Sequence, residues 1–205
     1  MISIFTPTHN PKYLSEVYQS IKDQDFFEWV IIPQGVEVPD FKDERVKIYP
    51  VPKLGDHYVG SLKKYACSKC RGEILLELDH DDLLTSSAIE EVKEAFKDPE
   101  IGFVYSNTVN FKNGFEKPER YNQKYGWEYQ PFEYNGHQLE QHISFPQTPE
   151  SVSRIWYAPN HLRAWRKSVY DKIGGHPDMR VLDDQDLLCR TFIATKFKHI
   201  NKPLS

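Results

Sequence analysis

Long hydrophobic runs are absent from this sequence, and cysteines are few. No apolar stretch has the length that a helix needs to cross a bilayer, and the N-terminus lacks the basic start and long apolar middle of a signal peptide. The cysteine count is three, an odd number that argues against a disulfide framework and favours a reducing compartment. We therefore expect a cytoplasmic protein without a transmembrane segment.

A strong excess of charge of one sign is also missing. The formal net charge of −4 over 205 residues gives no global field that would attract a polyanion, so we expect no nucleic acid partner. Hydrophobic residues at 39% and charged residues at 27% are ordinary for a soluble globular protein. This length suffices for one substantial domain or two small ones.

The most informative stretch that is present is residues 77–84, which read ELDHDDLL and directly follow a short apolar run. The apolar run predicts a buried strand, and the acids stand where that strand leaves the sheet. Because like charges repel, a folded chain seldom gathers them without a cation, and Mg²⁺ or Mn²⁺ prefers carboxylate oxygens. The alternative is that Asp81 or Asp82 simply caps the helix that follows.

Strands and helices alternate through the first half of the chain. The predicted strands are 2–5, 29–32, 46–49, 74–78 and 101–105, and the predicted helices are 14–21, 55–70 and 88–96. This order predicts a single α/β domain with a mostly parallel central sheet and helices on both faces. Since ligands bind beyond the carboxyl ends of such strands, loops 6–10, 33–35 and 79–82 are expected to share one binding site.

Residues 107–159 break this pattern and are rich in aromatic and polar side chains. A long irregular segment inside a compact domain is usually functional or mobile. Aromatic faces beside amide and carboxylate groups suit sugar rings, and Trp127 and Trp156 are the residues we expect to touch a ligand. The alternative is a lid whose aromatic side chains pack onto the core.

Regular structure returns with a predicted strand at 161–165, a helix at 167–173 and a last helix beginning at Leu182. That last helix begins with a second acidic cluster, for which N-capping by Asp183 is an alternative to chemistry. His161 is assigned equally to substrate contact and to structural hydrogen bonding. Cys67 and Cys70 form a Cys-x-x-Cys without a second pair, so we expect two small core residues.

Three segments resemble motifs of the GT-A-fold nucleotide-sugar glycosyltransferases, in particular glycosyltransferase family 2. Residues 2–10 (ISIFTPTHN) resemble the family's first strand and nucleotide loop, usually Ser-Val-Ile-x-Pro-Thr-Tyr-Asn. Residues 72–82 (GEILLELDHDD) resemble its Gly-Glu-Tyr-Ile strand and Asp-x-Asp metal motif. Residues 173–176 (IGGH) and 183–187 (DDQDL) resemble the Gly-Gly-Phe-Asp and Glu-Asp-x-Asp-Leu segments that carry the catalytic base.

The resemblance implies a Rossmann-like GT-A domain that acts as an inverting glycosyltransferase, with Mn²⁺ or Mg²⁺ as cofactor. A UDP-sugar would be the donor and a carbohydrate hydroxyl the acceptor. Asp81, assisted by Asp79, matches the metal ligands, Asp184 the general base and Asp183 a residue that holds the acceptor or orients its loop. The residues expected to bind the nucleotide-sugar are Thr6, Pro7, Thr8, His9, Gln34, Lys63, Asp79, His80 and Asp81; those expected to bind the acceptor are Trp127, Trp156 and His161.

One departure from the family concerns the nucleobase. The family usually has Asp-Asp-Gly after its second strand, where this chain has Pro33-Gln34-Gly35. The amide of Gln34 can still donate and accept at an imide edge, so uridine remains the favoured base.

We therefore expect one half of the domain, residues 1–105, to bind the nucleotide-sugar and the other half, residues 106–205, to bind the acceptor. Residues 202–205 look like an interrupted strand, so we expect one module of a longer polypeptide. Two other functions remain open. They are a non-catalytic module that binds carbohydrate or nucleotide-sugar, and a metal-dependent phosphate-transfer enzyme.

Overall fold

The structure is a computed structural model that describes residues 1–51, 59–112, 115–155, 158–179 and 181–205. Two of the sequence-based predictions fall partly or wholly outside these ranges. The start of the predicted helix at 55–70 is one of them, and Trp156 is the other. No described helix is long and apolar enough to span a bilayer.

The described elements are nine strands and six α-helices, with one short 3₁₀ turn at Gln123–Tyr125. The strands are β1 Ile2–Thr8, β2 Glu28–Pro33, β3 Val46–Ile48, β4 Ile74–Glu77, β5 Ile101–Val109, β6 Glu128–Tyr134, β7 His137–Ile143, β8 Arg163–Arg166 and β9 Lys196–Pro203. The helices are α1 Leu14–Ile21, α2 Val59–Lys69, α3 Ala88–Ala95, α4 Pro149–Arg154, α5 Lys167–Lys172 and α6 Asp183–Ala194.

One mixed sheet contains all nine strands, in the order β3-β2-β1-β4-β8-β5-β7-β6, with β9 also paired to β5. Strands β1 to β4 run parallel to one another, and β1, β2 and β4 are buried almost throughout, which explains their apolar runs, since both faces of the sheet are covered there. The predicted α/β domain with mostly parallel core strands and flanking helices is therefore confirmed.

Strand β8 is antiparallel to both β4 and β5, between which it lies. Its register pairs Glu77 with Arg163 and Leu76 with Ala164. Because the two strands run in opposite directions, β8 begins at the same edge where β4 ends. The residues that lead into β8 are thus brought next to the acidic cluster.

Two hydrophobic clusters cover the faces of the sheet. Helices α1 and α3 pack on one face through Leu14, Val17 and Ile89, among others. Helices α2, α5 and α6 pack on the other face, where Leu62 and Leu187 are buried. Cys67 and Cys70 are free and buried in that second cluster, as expected for small core residues.

The hairpin formed by β6 and β7 was not predicted, because residues 107–159 show no apolar alternation. The two strands pair along their whole length around the Asn135–Gly136 turn, where both residues have positive φ angles, 49° and 80°. Asn-Gly is the pair that such a two-residue turn favours. This turn signal was therefore available in the sequence.

Thr6 holds the ends of three strands together at the edge that carries the acids. It is fully buried, donates a hydrogen bond of 2.6 Å to the carbonyl oxygen of Leu78 and accepts one of 2.9 Å from the indole of Trp29. Its hydroxyl therefore connects β1 to β2 and to the end of β4.

We expect Thr6→Val to lower the free energy of unfolding by about 2–4 kcal/mol, because it leaves one buried donor and one buried acceptor unpaired. Thr85→Val is the matched control, since the buried hydroxyl oxygen of Thr85 has no hydrogen-bond partner within the described residues. The control is expected to change stability by less than about 0.5 kcal/mol. Urea unfolding measures both variants, and equal losses would contradict the role given to Thr6.

Candidate active site

His161 contacts the acidic residues that follow β4 and also lies near Glu77 at the end of that strand. Its Nδ1 lies 3.0 Å from Asp82 Oδ2 and 3.9 Å from Asp79 Oδ2, and its Nε2 lies 3.8 Å from Glu77 Oε2. Burial and nearby Arg163 act to lower the pKa of His161. The hydrogen bond to Asp82 and the neighbouring carboxylates outweigh them, so this pKa lies above its usual value.

Glu77 is a fully buried carboxylate in the last position of β4. Its Oε1 lies 2.5 Å from the Nζ of Lys63 on α2, and its Oε2 lies 3.8 Å from Nη1 of Arg163 on β8. Burial alone would raise the pKa of Glu77, but these cations hold it below its usual range. Glu77 is therefore an anion that the protein itself neutralises.

Asp184 lies in the first turn of α6 and contacts the same two cations. Lys63 Nζ is 3.1 Å from its Oδ1, and Arg163 Nη1 donates a hydrogen bond of 2.8 Å to its Oδ2. Burial acts to raise the pKa of Asp184, but Arg163 and Lys63 outweigh burial and hold this pKa well below its usual range. The side chain keeps 27% of its surface exposed, so the carboxylate is charged and still accessible.

Two further polar groups beside Asp184 are buried without hydrogen-bond partners among the described residues. They are Nε2 of His176, which lies 3.9 Å from Asp184 Oδ1, and Oδ2 of Asp183. Burial lowers the pKa of His176 to about 4, so its ring is neutral, and burial raises the pKa of Asp183. Unpaired buried polar atoms are rare in folded proteins, and their concentration here is typical of a site built to receive a ligand.

The residues at the end of β4 fit a divalent cation. Ligand atoms of Asp79, Asp82 and His161 lie within 4.8 Å of one another, and two carboxylates with one imidazole form a donor set that Mn²⁺ accepts. As a ligand, His161 would coordinate the cation through a nitrogen that carries no proton. Asp81, which the sequence favoured over Asp82, is exposed and outside this group. Its assignment as a ligand stays a prediction.

Exposure changes where β1 ends. Thr6, Pro7 and Thr8 are buried, whereas His9 is exposed and meets the ring of His80 edge to face at a centroid distance of 4.9 Å. The backbone N–H of Gln34 donates to the carbonyl oxygen of Thr8, at 2.7 Å. The structure thus places the side chains of His9, His80 and Gln34 at one edge, whereas the side chain of Thr6 is used internally. Lys63 is also buried, against Glu77 and Asp184.

Trp127 is 2% exposed and packs against Tyr121 and Phe145. This burial favours the alternative reading, in which aromatic side chains of the middle segment pack onto the protein. Trp156 lies outside the described residues. His161 contacts the acidic cluster, so of the three predicted acceptor residues it is the one that the structure places in the site.

Sequence reasoning missed four residues of this site, namely Glu77, Asp82, Arg163 and His176. Glu77 carried a signal, because a carboxylate inside a strand buried on both faces needs a cation nearby. Arg163 is buried, with only 2% of its surface exposed. No local pattern could show this, because its partner Asp184 belongs to another element. Arg166, by contrast, donates to the backbone carbonyls of Phe96, directly after α3, and of Ile101, at the start of β5, and has a structural role.

Solved GT-A glycosyltransferase structures share the fold of this chain, a central sheet with mostly parallel core strands and flanking helices. The family described as glycosyl transferase family 2 matches residues 3–173. The chain therefore belongs to glycosyl transferase family 2. No curated protein sequence matches it significantly.

Three similar solved structures illustrate the shared fold. The crystal structure of S. aureus TarS 1–349 matches with a TM-score of 0.71 and 18% identity over 99% of this chain and 59% of that chain. The same protein in complex with UDP-GlcNAc gives 0.70 and 15%, over 99% and 57%. The mannosyltransferase PcManGT from Pyrobaculum calidifontis, in complex with GDP-Man and Mn²⁺, gives 0.61 and 15%, over 98% and 54%. This chain thus spans little more than half of each.

We expect Lys63→Met to lower the free energy of unfolding by about 3–5 kcal/mol, because it leaves the buried charge of Glu77 without its nearest cation. Adding Glu77→Gln to this variant should recover part of the loss, since the uncompensated charge is then removed as well. Lys64→Met is the matched control, because the neighbouring Lys64 is exposed. Urea unfolding of all variants tests the pair, and strictly additive losses would contradict it.

Proposed function

We propose that this domain is an inverting glycosyltransferase, which moves a sugar from a UDP-sugar donor to a hydroxyl of a carbohydrate acceptor in a metal-dependent reaction. The observation that carries the proposal is the meeting of two acidic groups at His161. Ligand atoms of Glu77, His161 and Asp184 lie within 4.8 Å of one another, and so do those of Asp79, Asp82 and His161. Such a transfer needs a cation site and a proton acceptor in one cleft.

The cation site would serve the leaving group. A bound Mn²⁺ or Mg²⁺ supplies positive charge for the diphosphate that departs from the sugar. Two sets of ligands are candidates, and Asp79 belongs to both. The sequence motif pairs Asp79 with Asp81, whereas the geometry groups Asp79 with Asp82 and His161.

Asp184 is the proposed general base that takes the proton of the acceptor hydroxyl. Its low pKa keeps it ionised at neutral pH, as a proton acceptor must be. A weakly basic carboxylate accepts a proton only late, when the hydroxyl oxygen has begun to bond to the anomeric carbon and has become acidic. The neighbouring Asp183, whose Oδ2 has no hydrogen-bond partner among the described residues, would hold the acceptor or orient the start of α6.

The donor would lie along the edge formed by the ends of β1, β2 and β4. His9 and His80 offer ring faces and edges for a base, and Gln34 offers an amide for the imide edge of uracil. One similar structure holds UDP-GlcNAc and another holds GDP-Man. The amide of Gln34 is the feature of this chain that favours uridine. The division into a donor half at 1–105 and an acceptor half at 106–205 belongs to the same proposal.

The metal site gives the first test of this function. We expect Asp79→Asn to weaken Mn²⁺ binding at least about tenfold, because it removes a charged oxygen ligand. Isothermal titration calorimetry with MnCl₂ measures this, and Asp178→Asn, which alters a carboxylate outside the site, is the control. Comparing Asp81→Asn with Asp82→Asn then identifies the second ligand. Equal Mn²⁺ affinity in all four variants and the wild type would remove the metal from the proposal.

The base gives the second test. We expect Asp184→Asn to reduce sugar transfer by about 10²–10⁴-fold while leaving the affinity for the donor within about threefold, because the amide cannot take the proton. Asp171→Asn, an exposed carboxylate on α5, is the control.

The substrates for this assay are UDP-GlcNAc, UDP-glucose and GDP-mannose, with Mn²⁺ and simple sugars as acceptors. Unchanged transfer in Asp184→Asn would reject Asp184 as base. Donor binding without transfer by the wild type would favour the binding module. Cleavage of a phosphate ester without a sugar acceptor would favour the phosphate-transfer enzyme.

A further inference from the structure

A groove that the proposed reaction does not use runs from Asp81 between α1 and the β6–β7 hairpin. Two cavities form it, one of about 240 Å³ and one of about 1170 Å³. Both are lined by Asp81, Leu83, Leu84 and Thr85 at the floor and by Phe111 and Tyr134 at the hairpin side. We call this feature the hairpin groove. Its larger cavity exceeds the roughly 300–1,000 Å³ of ordinary small-molecule sites.

The hairpin side of the groove is a wall of aromatic rings. Phe111 is 41% exposed and stacks on Phe115 with ring centroids 5.0 Å apart. Phe115 in turn lies 6.1 Å from Tyr134 and stacks on His137 at 4.0 Å. These rings belong to neither hydrophobic cluster of the core. Aromatic rings that line a groove instead of packing into the core are typical of a binding site.

The opposite side of the groove is polar. Glu16 and Gln19 are exposed and stand three residues apart on α1, so they share one face of the helix. The described charged residues that line the larger cavity are two acids, Glu16 and Asp81, and one base, Lys112. This balance disfavours a polyanion, whereas rings facing amide and carboxylate oxygens match the C–H faces and hydroxyls of neutral sugars.

The groove opens at the proposed reaction centre. Asp81 lines both of its cavities, and Asp82 lines the smaller one. Asp82 also contacts His161, which lies beside Glu77 and Asp184. A chain of sugars that presents its terminal hydroxyl at the centre could therefore continue along the groove.

We propose that the hairpin groove binds the further sugar units of a neutral oligosaccharide acceptor, with Phe111 and Tyr134 as stacking platforms. This inference rests on the proposed function and specifies its acceptor as an extended glycan. It also replaces the buried Trp127 by two residues that line the groove, the exposed Phe111 and the half-buried Tyr134.

The test is calorimetric titration of the protein with cellopentaose, maltopentaose and chitopentaose, without donor. At least one of them is expected to bind. Phe111→Ala and Tyr134→Ala should each weaken that binding about three- to tenfold. Tyr125→Ala is the matched control, because Tyr125 is 53% exposed and does not line either cavity. Thermal melting checks that all variants remain folded.

A second measurement separates this inference from the proposed function. Titration with UDP and Mn²⁺ should give the same affinity in the wild type and in both groove variants, since Phe111 and Tyr134 are not among the residues expected to bind the donor. Binding of none of the three pentasaccharides, or equal binding by the groove variants and Tyr125→Ala, overturns the groove inference and leaves the glycosyltransferase proposal standing. Absence of UDP binding and of transfer in the wild type overturns the proposed function itself.

Discussion

The buried carboxylate of Glu77 is the constraint on which the rest of the site depends. It ends a strand in which every residue is buried, so water cannot neutralise its charge and the protein must. Lys63 reaches it from α2 and Arg163 from β8, and both cations also contact Asp184 on α6. One buried charge thus ties together two strands and two helices that are far apart in the chain. The position of Asp184 follows from this network more than from the helix that carries it.

The direction of β8 explains how the second half of the chain completes a site begun by the first. In an all-parallel sheet, the neighbours of an acidic strand end would themselves be strand ends. Because β8 is antiparallel to β4, the residues at its start face the acids instead. This places His161 beside Asp79 and Asp82, and Arg163 directly opposite Glu77. Strand β8 and the residues that lead into it therefore supply basic side chains beside the acids. The parallel neighbours in this sheet do not supply them.

How much could be predicted from the sequence depended on how local the signal was. Helix α1 was predicted with its observed bounds, Leu14–Ile21, and the strand before the acids to within one residue. Helical periodicity indicated the first and an apolar run followed by acids the second, and each pattern lies within a short stretch of the chain. The β6–β7 hairpin was missed, because apolar and polar residues do not alternate along either strand. The Asn135–Gly136 turn was the one local pattern that indicated it. The burial of Arg163 was missed for a different reason. Its partner stands 21 residues further on, and only the folded sheet brings them together.

The two classes of aromatic residue in the middle segment have different physical roles. Trp127 is buried at the base of the hairpin, whereas Phe111 and Tyr134 line the hairpin groove. The strand pairing that joins the hairpin to the central sheet consists of Thr108 with His142 and Val109 with Gln141. Within the described part of the chain, these four residues make no contact with the charged network around Glu77. Under the proposed function, changes in the hairpin would therefore alter what the groove accepts without disturbing the charges that hold Asp184, and the choice of acceptor would be separate from the chemistry of transfer.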